Sequence, residues 1–264
     1  APKTYNALDQ RSRIMYEVQR WGQKFGCDVL ALQECEAEAG YAELLDKFDL
    51  AGAAEAKENR GWVHVYVRRR EDVQIERLEW SAAEPCVAVR LRMRAGLPGE
   101  RSLVVLAVHL PLKAGRNVLE RALRRLGEGD REKVVIVGDT NLNKDADVMA
   151  ICEGMGLKDA RYAGFSWGVP GNQFFADMAR VGAGLRKDRV LFGKNIWAEA
   201  HLVGQSEQFF EGEKFHLSDH FGLMAYVDVA DAYASRAKQA IVVARERRGQ
   251  LVRLMEQNKQ NELV

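Results

Sequence analysis

The segment Val134–Asn143, VVIVGDTNLN, constrains this chain more than any other. Four β-branched residues in succession read as a short buried strand, and Gly138 ends the run abruptly. Asp139, Thr140 and Asn141 follow at once, so polar side chains emerge at the end of a buried strand, the place where α/β sheets carry their sites. A carboxylate and a carboxamide two residues apart can hold and orient a water molecule without help from a cofactor ring. That arrangement points to hydrolysis.

The rest of the chain is large enough to surround such a strand. At 264 residues and 47% hydrophobic, one α/β domain can bury a sizeable core. No linker or low-complexity tract interrupts the pattern, so the expected division is a catalytic domain over 1–229 and a helical extension over 230–264. The net charge of +1 says little, but after Val229 seven Lys and Arg face four acids, which gives that segment +3 and leaves −2 elsewhere. Cys27, Cys35, Cys86 and Cys152 are scattered without a CxxC pair, which argues against a zinc knot or a disulfide framework and for buried free thiols. No apolar run approaches the ~18 residues of a membrane span. The start, APKTYN, lacks a basic-then-apolar leader. The expectation is a soluble intracellular protein, nuclear or cytoplasmic, without membrane contact.

In chain order, Thr4-Tyr5-Asn6 reads as the end of a short strand. Apolar residues at Ile14, Val18, Trp21 and Phe25 predict a helix from Arg11 to Phe25, with Gly26 as its cap. Asp28–Leu32 is a short buried strand broken by Gln33-Glu34; Glu34 alone is an ordinary loop acid, and only other strand-end acids make it a candidate. Trp62–Arg68 and Cys86–Arg94 alternate as half-buried strands. The second shows Arg90, Arg92 and Arg94 on one face, either a solvated sheet face or a surface for nucleic acid. His64 reads as a packing or surface histidine. Ser102–Leu110 is a buried strand ending in His109, a residue that is either a core histidine or part of the same site as Asp139. Helices are expected from Val118 to Leu126 and from Asp145 to Glu153, the latter capped by Gly154 or Gly156. Tyr162–Leu185 is glycine-rich and carries Phe165, Trp167, Phe174 and Phe175; these aromatics either stack on a base or tyrosyl ring or pin the loop to the core. Asp188-Arg189 opens a short strand, and Leu217-Ser218-Asp219-His220 opens the last one, Phe221–Val229. The apolar stripe Ala237, Ile241, Ala244, Leu251 and Met255 predicts a basic C-terminal helix that docks, binds a protein partner or frays.

Strand ends thus collect Asn6, Glu34, His109, Asp139, Asn141, Asp188, Asp219 and His220. Carboxylates and carboxamides suit a hard divalent ion such as Mg²⁺, which binds phosphate oxygens directly, and the absence of thiolates argues against zinc. Phosphodiester hydrolysis needs a positioned water, a cation on the developing charge and help for the leaving oxygen. This inventory covers all three.

The ordered segments TYN, LALQE, VHL, GDTN, KDRVLF and LSDH resemble the successive motifs of the endonuclease/exonuclease/phosphatase superfamily, over Thr4 to Val229. Within it, GDTNL, SDHFGL and the preceding FSW are most similar to the 5′-tyrosyl-DNA phosphodiesterases, with Thr140 and Leu142 carrying much of that likeness. The resemblance implies a four-layer α/β/β/α sandwich of two mixed β-sheets. It implies that Glu34 and Asp219 coordinate Mg²⁺ (with Mn²⁺ as a substitute), supported by Asn6. Asp139 and Asn141 would orient and deprotonate the attacking water, and His220, held by Asp188, would stabilise the transition state with His109 as a second phosphate contact. Trp167 and Ser218 are the substrate contacts it implies, and nucleic acid, chiefly DNA ends, is the partner. The chain departs from the pattern at Leu112, where those enzymes carry a phosphate-contacting hydroxyl, and at Tyr5, where they carry Trp. The implied activity is a metal-dependent phosphodiesterase of DNA repair that removes 5′-tyrosyl adducts. The alternatives are the same chemistry on RNA 3′ ends, on abasic DNA or on a small phosphoester, and a catalytically silent scaffold.

Overall fold

In the computed structural model, Val134–Asp139 is an interior strand of a six-stranded sheet. The structure describes residues 7–35, 41, 46–56, 61–79, 85–93, 101–168, 172, 184–205, 208–210, 213–216 and 218–229. Asn6, Arg94, the Phe174-Phe175 pair and the expected C-terminal helix lie outside them.

The elements run α1 (Ala7–Lys24), β1 (Val29–Cys35), β2 (Phe48–Ala56), β3 (Gly61–Arg68), β4 (Val73–Leu78), β5 (Cys86–Met93) and β6 (Arg101–His109). There follow α2 (Gly115–Arg125), α3 (Glu128–Glu132), β7 (Val134–Asp139), α4 (Asp145–Met155), β8 (Leu157–Asp159), β9 (Asp188–Gly193), β10 (Ile196–Val203), β11 (Gln208–Phe210), β12 (Glu213–Phe215) and β13 (Gly222–Val229). The six-stranded sheet has the order β4-β5-β6-β7-β9-β8 and is mixed, because β6 and β7 run parallel while its other neighbours are antiparallel. The crossover helix α2 allows the parallel pair, which cannot be joined by a tight turn. Among the described residues the facing layer consists of two antiparallel pieces, β1-β3-β2 and β10-β13.

Side-chain alternation sorts the strands into layers. Val104, Leu106 and Val108 of β6 pack with Leu119 and Leu123 of α2 and Ile151 of α4 on one side. Val105 and Ala107 of the same strand face Val63 and Val65 of β3 and Ala198 and Leu202 of β10 on the other. Met15 of α1 closes the far side of the smaller sheet against Phe48 and Tyr66. The sequence of layers is therefore helix, sheet, sheet, helix, as the motif resemblance implies.

Gly156, with φ 68°, caps α4 in the left-handed conformation, so of the two glycines expected there it is the second that ends the helix. Arg189, only 1% exposed, pairs with Asp145 at 2.8 Å and Asp159 at 3.4 Å and so ties β9 to α4 and β8. Arg90 pairs with Glu76 and Asp130, and Arg92 with Glu76, so these members of the arginine stripe are a paired sheet face. His64 is fully buried against Tyr41 and Tyr66, a packing histidine. Cys35, Cys86 and Cys152 are buried free thiols and Cys27 is half-buried. Among the described residues no helix is long and apolar enough to cross a membrane.

Candidate active site

Three neighbouring strands bring His109, Asp139 and Asp188 into one row. The register pairs His109 of β6 with Asp139 of β7, and Asp139 with Asp188 of β9. Gly138 permits this packing: its φ of 126° is one that L side chains rarely adopt, and a Cβ there would collide with the Val108 carbonyl oxygen. Beyond Asp139 the chain turns through Asn141, whose φ is 48°, a left-handed conformation that asparagine tolerates better than most residues. Its N–H donates to Asp139 Oδ1 at 2.7 Å and its Nδ2 to the Leu110 carbonyl at 2.8 Å. Both side chains are thereby fixed, and the carboxamide oxygen remains as an acceptor.

His220 completes this half of the cleft. Its Nδ1 lies 2.8 Å from Asp188 Oδ2, and its Nε2 lies 3.9 Å from Asp139 Oδ2. Asp188 is itself held at the main chain, where its N–H donates to Ser166 Oγ at 3.1 Å and its carbonyl accepts the Tyr162 hydroxyl at 2.7 Å. Ser218 uses its hydroxyl inside the turn, accepting the His220 N–H at 3.1 Å and lying 3.5 Å from Asp219 Oδ1. Asn172 Nδ2 donates to the Ser218 carbonyl at 2.9 Å. Ser166 lies within the FSW segment and Asn172 in no motif, and neither is singled out from sequence, because their contributions are contacts to backbone that only the folded chain brings near.

Glu34 comes from the smaller sheet. The β1–β3 pairing slips between Leu32 and Cys35, and within that bulge Glu34 takes φ 56°. The strand does not stop at Leu32, as its polar interruption suggested, but runs on to Cys35 with Glu34 pushed outward. A bulge re-aims one side chain while the strand continues. Gly61 makes room opposite, since a Cβ there would stand 2.9 Å from Glu34 Cα. The carboxylate lies 3.7 Å from His109 Nε2, as does Asp139 Oδ2. Trp167 donates its indole N–H to Asp219 Oδ2 at 3.2 Å and bridges by main chain to Leu185 and His220. Among the described residues, all the expected site residues except Asn6, which lies outside them, converge on this cleft.

Thr140 and Leu142 do not face it. Thr140 is fully buried, with its N–H and hydroxyl both donated to the Lys187 carbonyl at 3.0 and 2.8 Å. Leu142 packs in the core beside α2 and α4. The two residues that carry the finer motif likeness thus shape the turn rather than the substrate pocket.

The charges separate by environment. Burial pushes the Asp139 carboxyl up to about 6, with the like charge of Asp188 adding to it. Burial and the neighbouring His220 charge push His109 down to about 4, so it is neutral at physiological pH. For His220 burial opposes the charge, but the Asp188 hydrogen bond and the surrounding carboxylates outweigh it and raise the pKa to about 9. Glu34 keeps 59% of its side chain open to solvent, and still the removal of part of its hydration and the like charge of Asp219 hold it above the usual carboxylate value.

Among the described residues, no cluster of three or more His, Cys, Asp or Glu forms a ready-made metal cage. Mg²⁺ does not need one, since it keeps several waters and binds through one or two carboxylates plus substrate phosphate. Glu34 and Asp219 supply two hard oxygen donors, and their mutual repulsion is what a divalent cation would relieve. The residues therefore fit such an ion.

A model of the Endonuclease/Exonuclease/phosphatase family matches residues 4–220. No curated protein sequence matches. Among solved structures the chain is similar to a truncated TDP2 of Caenorhabditis elegans, at 20% identity over 85% of this chain and 94% of that one, with a TM-score of 0.58. It is similar to a mannosyl-6-phosphatase of Bacteroides thetaiotaomicron, at 15% identity over 86% and 96%, TM-score 0.57. The endonuclease domain of TRAS1, a telomere-specific non-LTR retrotransposon, aligns at 13% identity over 83% and 93%, TM-score 0.55. At these identities the likeness is one of fold.

Proposed function

The chain belongs to the Endonuclease/Exonuclease/phosphatase family, and from that premise we propose that it is a Mg²⁺-dependent phosphodiesterase acting on DNA ends, including ends that carry a 5′-tyrosyl group. It is a hydrolase of phosphoester bonds, and enzymes of this family generally depend on a divalent metal. The single observation that carries the mechanism is the row His109–Asp139–Asp188 with His220 set against it.

In this reading Asp139 and Asn141 orient the attacking water, and Asp139 accepts its proton. A carboxyl with a pKa of about 6 is mostly ionised at neutral pH yet basic enough for that task. His220, kept cationic by Asp188, places positive charge where the phosphorane-like transition state gathers negative charge. His109, neutral, donates or accepts one hydrogen bond at a phosphate oxygen without adding charge. Glu34 and Asp219 would hold Mg²⁺, which when bound neutralises phosphate charge as a Lewis acid. Support for the DNA substrate comes from the motif likeness to 5′-tyrosyl-DNA phosphodiesterases and from fold neighbours such as the TRAS1 endonuclease domain. The domain division at 1–229 and 230–264, with the basic extension as a contact for a protein partner, belongs to the same proposal.

The test is a substrate panel with Mg²⁺: a 5′-phosphotyrosyl oligonucleotide, an abasic duplex, an RNA 3′ end and a small sugar phosphate. Release of a 5′-phosphate end from the first at the highest kcat/KM supports the proposal. Turnover of the sugar phosphate alone would replace it with a small-molecule phosphatase.

A further inference from the structure

Lys187 sits one residue before Asp188, and the residue is only 8% exposed, with its ammonium tip at the solvent edge of that burial. Lysine is rarely buried without a charged partner, because its ammonium is strongly hydrated. Among the described residues no carboxylate pairs with Lys187 Nζ and no hydrogen bond leaves it; the ammonium stands over the Trp167 ring, whose centroid is 3.6 Å away. A cation over an indole face is attracted by the ring quadrupole, but its three N–H donors are not satisfied by it.

The seat is rigid. Trp167 is pinned by Asp219 through its indole N–H and by Leu185 through two main-chain bonds. The Lys187 carbonyl is gripped twice by Thr140. The ammonium also acts on the cleft: its charge lowers the pKa of His109 and offsets the upward push on Glu34 and Asp139. A cation held on an indole face, with donors met by solvent alone and a charge felt by Asp139, Glu34 and His109, is suited to receive an anionic oxygen.

We infer that Lys187 is a phosphate-binding residue of this site, whose ammonium, seated on Trp167, donates to a non-bridging oxygen of the substrate phosphate. One face of Trp167 is then covered by the lysine, so that face is not a stacking platform for a base. The indole instead works as a pedestal for Lys187 and a tether for Asp219.

The inference rests on the phosphoesterase reading, and its test keeps the two separable. The 264-residue chain, in Mg²⁺, is titrated with inorganic phosphate by calorimetry as wild type, Lys187→Met and Lys187→Arg. KM and kcat on the 5′-phosphotyrosyl oligonucleotide and thermal midpoints are measured beside it. Lys187→Met should weaken phosphate binding and raise KM on the order of ten- to a hundredfold at an unchanged thermal midpoint, with Lys187→Arg recovering most of the loss. Wild-type phosphate affinity and KM in Lys187→Met would overturn the assignment, as would no measurable phosphate binding by the wild type. So would a loss in both variants that tracks a fallen thermal midpoint, which marks a packing residue. If the wild type binds phosphate through Lys187 but cleaves no phosphodiester, the DNA-end reading falls and the lysine assignment stands.

Discussion

The two halves of the cleft are built by opposite means. On the six-stranded sheet, Asp139, Asn141 and Asp188 are buried and fixed by hydrogen bonds to main chain or to one another. On the smaller sheet Glu34 stands in solvent on a bulge, with its backbone in a left-handed conformation and a like charge close by. Burial and fixed partners set protonation states, and the groups that move protons need that control. An exposed, repelled carboxylate suits a ligand that arrives with its own charge and waters. In the proposed mechanism this difference separates a proton-handling half on the six-stranded sheet from a cation-handling half at Glu34, and the turn before β13 serves both, with His220 in the first and Asp219 in the second.

Substitutions on the two halves should therefore fail differently. Asp139→Asn removes the carboxylate proposed to orient the water, and kcat should fall by about 10³-fold with little change in the Mg²⁺ concentration needed for half-maximal rate. Glu34→Gln should do the reverse, raising the half-saturating Mg²⁺ concentration by about tenfold or more with a smaller loss of kcat at saturating metal. A metal titration of each variant decides between them, and matched profiles would dissolve the division.

Asp188→Asn sharpens the proton-handling half. It should bring the His220 pKa down from about 9 towards the ordinary imidazole value, readable as a histidine ring-proton titration by NMR in metal-free buffer. The sign for stability follows from linkage. The folded pKa of His220 lies above its unfolded value near 6.5, so the stabilisation is fully present below about 6.5 and is lost as pH rises through about 9. Thermal midpoints of the wild type should decline across that window, and those of Asp188→Asn should decline less. The smallest effect lies away from both halves: Arg90→Ala breaks partly exposed pairs with Glu76 and Asp130 and should lower stability by about 1 kcal/mol or less in chemical denaturation, with kcat unchanged.

Much of this organisation is legible in the chain. The run Val134–Val137 is apolar without interruption because both faces of β7 are covered, so the strand and the polar turn after it can be read directly. Strand-end positions and the motif resemblance together put Glu34, His109, Asp188 and His220 on one list, and the fold brings them near one another. What escapes is of two kinds. Strands β2 and β10, rich in alanine and carrying acids, lack the hydrophobic contrast that periodicity needs. Lys187 and Asn172 look like ordinary polar residues, because their burial is a property of the fold. Thr140 and Leu142 show the converse, being prominent in the motif yet directed into the turn and the core.

The central claim is that a water held by Asp139 attacks phosphorus. A single turnover of the 5′-phosphotyrosyl oligonucleotide in ¹⁸O-water, with product masses read by mass spectrometry, tests it most directly. One ¹⁸O in the released 5′-phosphate, formed by the wild type and far more slowly by Asp139→Asn, is the predicted result. Label in the leaving group, or equal rates for the two proteins, would contradict it.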